Sequence, residues 1–136
     1  MVKVEAYEVP EGLYYSKDFA WVKTEGDKVR VGITDYAQKS LREIVYAELP
    51  KTGTEVKQNE PYGTLESVKA VSDLIAAVSG TVEEVNSEVQ SKPELLNESP
   101  FESGWLVILK PTNLQAELPN LMDFDQAVEW HKNQVK

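Results

Sequence analysis

Leu65-Glu66-Ser67-Val68-Lys69-Ala70-Val71-Ser72-Asp73-Leu74 reads almost the same in both directions. Folded at Lys69-Ala70, it sets Val68 against Val71, Ser67 against Ser72, Glu66 against Asp73 and Leu65 against Leu74. Directly opposed side chains of an antiparallel pair share an environment, so matched residues suit a hairpin. Such a hairpin carries one lysine at its tip. A turn lysine is ordinarily a solvated surface residue, and three local features set this one apart. Lys-Ala is not the Asn-Gly or glycine-containing pair that two-residue turns favour, so turn chemistry did not select it. Val68 and Val71 are apolar side chains near an exposed tip, which is costly unless a partner or an attached group covers them. Glu66 and Asp73 bracket the site with acid, as an enzyme that picks one lysine among many requires, although solvated charges that aid solubility are the stronger reading of these two residues alone. Lys69 is therefore a candidate for covalent modification.

The flanking sequence reads as many short strands. Val2, Val4 and Ala6 alternate with Lys3, Glu5 and Tyr7 in a single strand ended by Pro10-Glu11-Gly12. Phe19 to Thr24 and Lys28 to Ile33, separated by Glu25-Gly26-Asp27, form a hairpin with one buried face. Asp35 with Gln38 resembles a capping box and starts about two helical turns. Ile44 to Leu49 returns to strand, with Val45, Ala47 and Leu49 on one face. Val56 to Pro61, the hairpin arms and Thr81 to Val85 continue the series. Ser91 with Glu94 is a second capping-box pattern, predicting a helix over Pro93-Glu94-Leu95-Leu96-Asn97. Trp105 to Leu109 is a buried strand, and Leu114 to His131 forms one or two helices interrupted at Pro119. Strands at this spacing predict a small sandwich or barrel rather than a βαβ sheet. Gly53-Thr54-Glu55-Val56 and Gly80-Thr81-Val82-Glu83 echo each other on the two sides of Lys69, a faint sign of two related halves.

Composition narrows the function classes. The 136 residues suit one domain, 1–136, with a core at about 13–110 and a C-terminal helical segment at about 112–134. There is no cysteine and one histidine, which excludes thiolate nucleophiles, disulfides and multi-histidine metal sites. Neither a membrane-crossing apolar run nor a signal-peptide pattern is present, so the expected place is the cytoplasm. The formal net charge of −9, spread along the chain, disfavours nucleic acid and anionic membrane as partners. His131 and Trp21, Trp105 and Trp130 are better read as structural groups, the first two tryptophans as core, than as a catalytic or ligand site.

Gly32-Ile33-Thr34-Asp35-Tyr36-Ala37-Gln38 and Ile44-Val45-Tyr46-Ala47-Glu48-Leu49-Pro50 closely resemble segments of the glycine cleavage system H proteins. Glu66-Ser67-Val68-Lys69-Ala70-Val71-Ser72-Asp73 is similar to that family's lipoyl-attachment motif. Val78-Ser79-Gly80, Val85-Asn86, Pro93 to Asn97 and Gly104-Trp105-Leu106 continue the likeness in order. Biotin carriers, by contrast, usually set methionine on both sides of the lysine. The resemblance implies a mainly β barrel-sandwich hybrid of the lipoyl/biotinyl-carrier type, with short helices and a C-terminal helix. It implies lipoate in amide linkage on Lys69, within the motif Glu66, Ser67, Val68, Ala70 and Asp73. It further implies a non-catalytic carrier whose dithiolane does the chemistry. The arm would take an aminomethyl group from a pyridoxal-phosphate glycine decarboxylase to an aminomethyltransferase that uses tetrahydrofolate. Dihydrolipoyl dehydrogenase would reoxidise the arm, and a lipoate ligase or lipoyl transferase would install it.

The departures from the family pattern carry their own expectation. Family members usually have His-Glu before the tryptophan matching Trp21, where this chain has Phe19-Ala20. In the family that glutamate lines the cleft of the loaded arm, where a carboxylate holds a primary ammonium by a charge-assisted bond. Asp18 supplies a carboxylate nearby, on the same strand face but not in the same place. Arg42-Glu43 replaces the common Gly-Asp, and Ala77 replaces a proline. These changes predict that lipoylation is kept while shelter of the loaded arm is altered. They also raise a second reading, an H-like lipoyl carrier for lipoate relay or sulfur intermediates. A third, a hydrolase or binding domain with an unmodified Lys69, lacks a nucleophile and base set.

Overall fold

The computed structural model describes residues 2–4 and 7–134, with side chains from Tyr7 to Asn133. Two sheets face each other across the main core. One has six strands in the order β3 (Tyr14–Tyr15), β4 (Ala20–Glu25), β5 (Lys28–Ile33), β11 (Val107–Pro111), β10 (Gly80–Val85) and β7 (Glu55–Val56). The other has three, β6 (Ile44–Glu48), β8 (Pro61–Ser67) and β9 (Val71–Ile75). Every pairing in them is antiparallel. This is a mainly β barrel-sandwich hybrid, the architecture the family resemblance implies and one within the sandwich-or-barrel class that the strand spacing predicts.

Alternation builds the core. Val22, Val29, Val31 and Ile33 of the β4–β5 hairpin, Leu65 and Leu74 of β8 and β9, and Val82, Val107 and Leu109 from the far side are all buried together. Each such side chain contributes roughly 1.5–3 kcal/mol when fully withdrawn from water. The helices α1 (Asp35–Leu41), α2 (Ser87–Ser91) and α3 (Leu95–Glu98) close one end of the sandwich. Then α4 (Leu114–Glu117), a 3-10 turn over Leu118–Asn120 and α5 (Phe124–Gln134) follow β11. The break at Pro119 falls where the sequence places it. A second, smaller core gathers Val9, Tyr15, Trp21, Met122 and Ala127 between β4 and α5. His131 is buried there, its Nδ1 2.7 Å from the Ala127 carbonyl, among the rings of Tyr15, Tyr36 and Trp130.

Several local expectations change. The N-terminal strand is a hairpin: β1 (Val2–Val4) pairs with β2 (Tyr7–Val9), Val2 opposite Val9, while Glu5 and Ala6 lie outside the described residues. Thr34, not Asp35, caps α1, its Oγ1 accepting from the Ala37 N–H at 3.2 Å. The Gln38 amide bonds to the Asp35 carboxylate instead. The second predicted cap is absent. Asn86 caps α2, and α3 starts at Leu95 without a side-chain cap. Val45 points outward because a bulge between Ile44 and Tyr46 breaks the alternation. The buried strand begins at Val107, and Trp105 stays half-buried under the Arg30 guanidinium. The echoed segments lie side by side as β7 and β10, with Val56 opposite Gly80.

Candidate functional site

The Lys69 hairpin has a different register from the palindrome. Glu66 pairs with Val71, Leu65 with Ser72, Thr64 with Asp73 and Gly63 with Leu74. The central turn residues are therefore Val68 and Lys69, not Lys69 and Ala70. Ser67 decides this. Its N–H donates to the Ala70 carbonyl at 2.8 Å, and its Oγ accepts from the N–H groups of Lys69 and Ala70 at 3.1 and 3.0 Å. A hydroxyl that satisfies two turn amides outweighs the gain from matching like side chains.

Lys69 is exposed at the tip, and its Nζ donates to the Ser40 carbonyl of α1 at 3.4 Å. The Val68 N–H donates to the Glu43 carbonyl at 3.0 Å, so the turn is tied to the segment after α1. Val68 and Val71 are 66% and 64% exposed, and Val45 and Tyr46 nearly half. Among the described residues these are the large apolar side chains left in solvent. All four lie on the three-stranded sheet or its tip. Glu66 is exposed between Tyr46 and Val71 in the same cross-strand row. The sequence marked the two valines but not Val45 and Tyr46, since only the bulge and the outward face of β6 expose them.

Beside the hairpin, between strands of the two sheets, lies a cleft of about 160 Å³. One wall is β9, the strand leaving the Lys69 turn, through Ser72, Asp73 and Ile75; the opposite wall is Asp18, Phe19 and Ala20. The lining is otherwise apolar and includes Leu41, Leu65 and Leu74. Tyr62 also lines it, and burial pushes its phenol up, so the group stays neutral across the physiological range. Asp18 is not on β4 but in the turn before it. Phe19 has a left-handed φ of 67°, and that backbone reversal brings Asp18 to the same cavity as Ala20. A wider groove of about 750 Å³ lies on the Arg42 side of α1, but its lining residues are all charged or amide side chains.

A family profile described as Glycine cleavage H-protein matches residues 13–134. The chain belongs to that family. It is 51% identical over 117 residues to a glycine cleavage system H protein of Geobacillus thermodenitrificans, covering 86% of this chain and 91% of that one. It is 49% identical over 134 residues to a probable glycine cleavage system H protein of Pyrococcus abyssi, covering 98% and 99%. A crystal structure of a glycine cleavage system H protein from Mycobacterium marinum superposes with a TM-score of 0.83 at 33% identity, covering 90% of this chain and 98% of that chain.

As a glycine cleavage H protein, the chain is a non-catalytic lipoyl carrier of that system. These likenesses favour the glycine cleavage role over the lipoate-relay or sulfur-carrier reading. No helix among the described residues is long and apolar enough to cross a membrane.

The family's Gly-Asp, replaced here by Arg42-Glu43, acquires a backbone meaning. Arg42 ends α1 at φ 72° and ψ −151°, a region nearly reserved for glycine. Arg42→Gly is expected to raise stability by about 1 kcal/mol. Urea unfolding checks this as a higher midpoint at unchanged slope. The Arg42 N–H donates to the Gln38 carbonyl at 2.9 Å and its carbonyl accepts from Asn97 Nδ2 at 2.7 Å, so the strained residue is held from both sides.

Proposed function

We propose that Lys69 carries the lipoyl arm in amide linkage and that the cleft between β9 and the Asp18–Ala20 turn receives the arm's outer end. The motif residues divide the work. Ser67 shapes the turn, and Val68 and Ala70 leave the lysine open to a lipoate ligase or lipoyl transferase. Glu66 and Asp73 supply acid on the two arms. The observation that carries the reading is the exposed lysine at the end of the strand that walls the cleft.

The residues present fit the group. Apolar cavities near 150 Å³ hold a molecule the size of benzene, comparable to a dithiolane ring. When attached, lipoate supplies a dithiol/disulfide couple that accepts, carries and releases a one-carbon aminomethyl unit. The protein's own contribution is shelter and placement. Ile33, Leu41, Leu65 and Leu74 exclude water, and Asp18 and Asp73 accept hydrogen bonds from a primary ammonium in the cleft. Two carboxylates at the rim compensate for Ala20, so the expected change of shelter becomes a change of which carboxylate serves.

The exposed rim of Val45, Tyr46, Val68 and Val71 suits transient burial against each partner in turn. Those partners are glycine decarboxylase, aminomethyltransferase and dihydrolipoyl dehydrogenase, met in the cytoplasm. A tethered arm raises the effective concentration of its end at each of them.

Exchange of the glycine carboxyl group with bicarbonate, measured with cognate glycine decarboxylase, tests this reading. The lipoylated chain is expected to support exchange and the unmodified chain not to. In the paired variant Asp18→Asn with Asp73→Asn, the loaded arm is expected to decay about tenfold faster or more, the effect of losing a hydrogen bond to charge. Equal lifetimes in the paired variant and the parent would remove the carboxylates from the reading.

A further inference from the structure

The family match begins at Leu13, so the β1–β2 hairpin lies outside it. The geometry points to this hairpin as a strap that positions α1, and through α1 both the cleft wall and the base of the Lys69 turn; Asp35 is the positioning residue where these meet. The inference rests on the arm-and-cleft reading above.

The strap is fastened at several points. The Glu8 N–H donates to Asp35 Oδ2 at 2.9 Å, and Val9 is fully buried in the second core. The Tyr15 hydroxyl donates to the Pro10 carbonyl at 2.5 Å. Tyr7 meets Tyr36 edge-on at 4.8 Å, with the Lys39 ammonium 5.5 Å from the Tyr7 ring. Tyr36 in turn stacks on Phe19 at 5.3 Å, and Phe19 leans on Trp130 at 5.2 Å. Phe19 is the left-handed residue that turns Asp18 into the cleft, so the aromatic series runs from the strap to the cleft wall.

A polar series runs the other way. Asp35 is 5% exposed and pairs with the Lys39 ammonium at 3.2 Å. Its Oδ1 accepts from Gln38 Nε2 at 2.6 Å. Gln38 Oε1 accepts from Asn97 Nδ2 at 3.0 Å, and Asn97 Oδ1 accepts from the Ile44 N–H at 2.9 Å. Ile44 follows Glu43, whose carbonyl holds the Val68 amide of the lysine turn. Ser40, on the same helix, accepts from Lys69. A buried carboxylate with this many donors fixes its helix tightly, because each lost partner leaves charge unsatisfied in an apolar setting. The strap thereby couples two features that sequence places far apart.

The test uses the full lipoylated chain with Tyr7→Ala, Tyr7→Phe and Asp35→Asn. Val29→Ala, in the main core, serves as a comparison that lowers thermal stability without touching the strap. Two quantities are read at a temperature where every variant is folded. One is amide exchange at Ala20 and Thr34, whose N–H groups donate to Ser16 Oγ and to the Phe19 carbonyl. The other is the lifetime of the loaded arm.

Tyr7→Ala is expected to leave the lipoylation yield unchanged, speed exchange at both amides about fivefold or more, and shorten the arm lifetime. Tyr7→Phe is expected to restore both quantities, and Asp35→Asn to extend the faster exchange to Val68. Parent-like exchange and lifetime in Tyr7→Ala and Asp35→Asn overturn the proposal, as does the same pattern in Val29→Ala. If the parent's loaded arm decays as fast as the same adduct on free dihydrolipoamide, the cleft reading fails. Amide exchange then still decides whether the strap positions α1.

Discussion

Lys69→Arg is expected to leave the fold intact and to abolish the lipoyl mass increment after incubation with lipoate ligase, ATP and lipoate. The side chain sits in solvent at the tip and donates to the Ser40 carbonyl, which an arginine can still reach. Nothing in the core changes, so the unfolding free energy should stay within about 0.5 kcal/mol of the parent, the usual range for a surface change. The chemistry changes completely, because a guanidinium remains protonated and is not an acyl acceptor. Modification of the parent removes one ammonium and moves the formal charge from −9 to −10, a shift native gels resolve. Glycine–bicarbonate exchange should fall to background in the variant. An increment that persists would place the attachment elsewhere.

Trp21→Ala is expected to give the largest loss of stability, about 3–5 kcal/mol, by leaving a cavity and an orphaned acceptor. Trp21 is fully buried, and its Nε1–H donates to the Pro100 carbonyl at 2.9 Å. The indole lies flat over Gly32 on the neighbouring strand, where a Cβ would come within 2.5 Å of the ring. It joins β4 to the second core, so its loss also frees the turn that carries Asp18 to Ala20. Native stabilities of small domains are commonly about 5–15 kcal/mol, so such a loss is a large fraction. Urea unfolding measures it directly. Trp21→Phe should cost clearly less, since it keeps most of the ring volume; equal losses would mean that the hydrogen bond dominates.

The class of fold was legible because alternation is a local property. The β4–β5 hairpin, the buried Val107-Ile108-Leu109 run and the helical break at Pro119 all follow from short-range spacing. The structure departs from the local pattern where two local rules compete. At the lysine turn, symmetry of side chains pointed to one register and the Ser67 hydroxyl chose another. At α1, Thr34 and Asp35 are both good caps, and Asp35 was drawn instead to Gln38, Lys39 and the Glu8 amide, the last from 27 residues away. Val45 faces outward against the alternation because a bulge leaves no mark in a pattern of alternate residues.

By itself the sequence determined the lysine, its acidic and apolar neighbours, the family they belong to and the strand-rich architecture. Each of these is carried by residue identity within a short window. Tertiary structure alone decided what surrounds the lysine. A cleft needs walls from separate strands, and Asp18 reaches it through the left-handed Phe19 in the turn before β4. The exposed rim of Val45 and Tyr46 and the strap onto Asp35 depend likewise on which surfaces long-range packing leaves open or covers. The Lys69 hairpin is thus the proposed point of attachment, while contacts distant in sequence shape the cleft beside it.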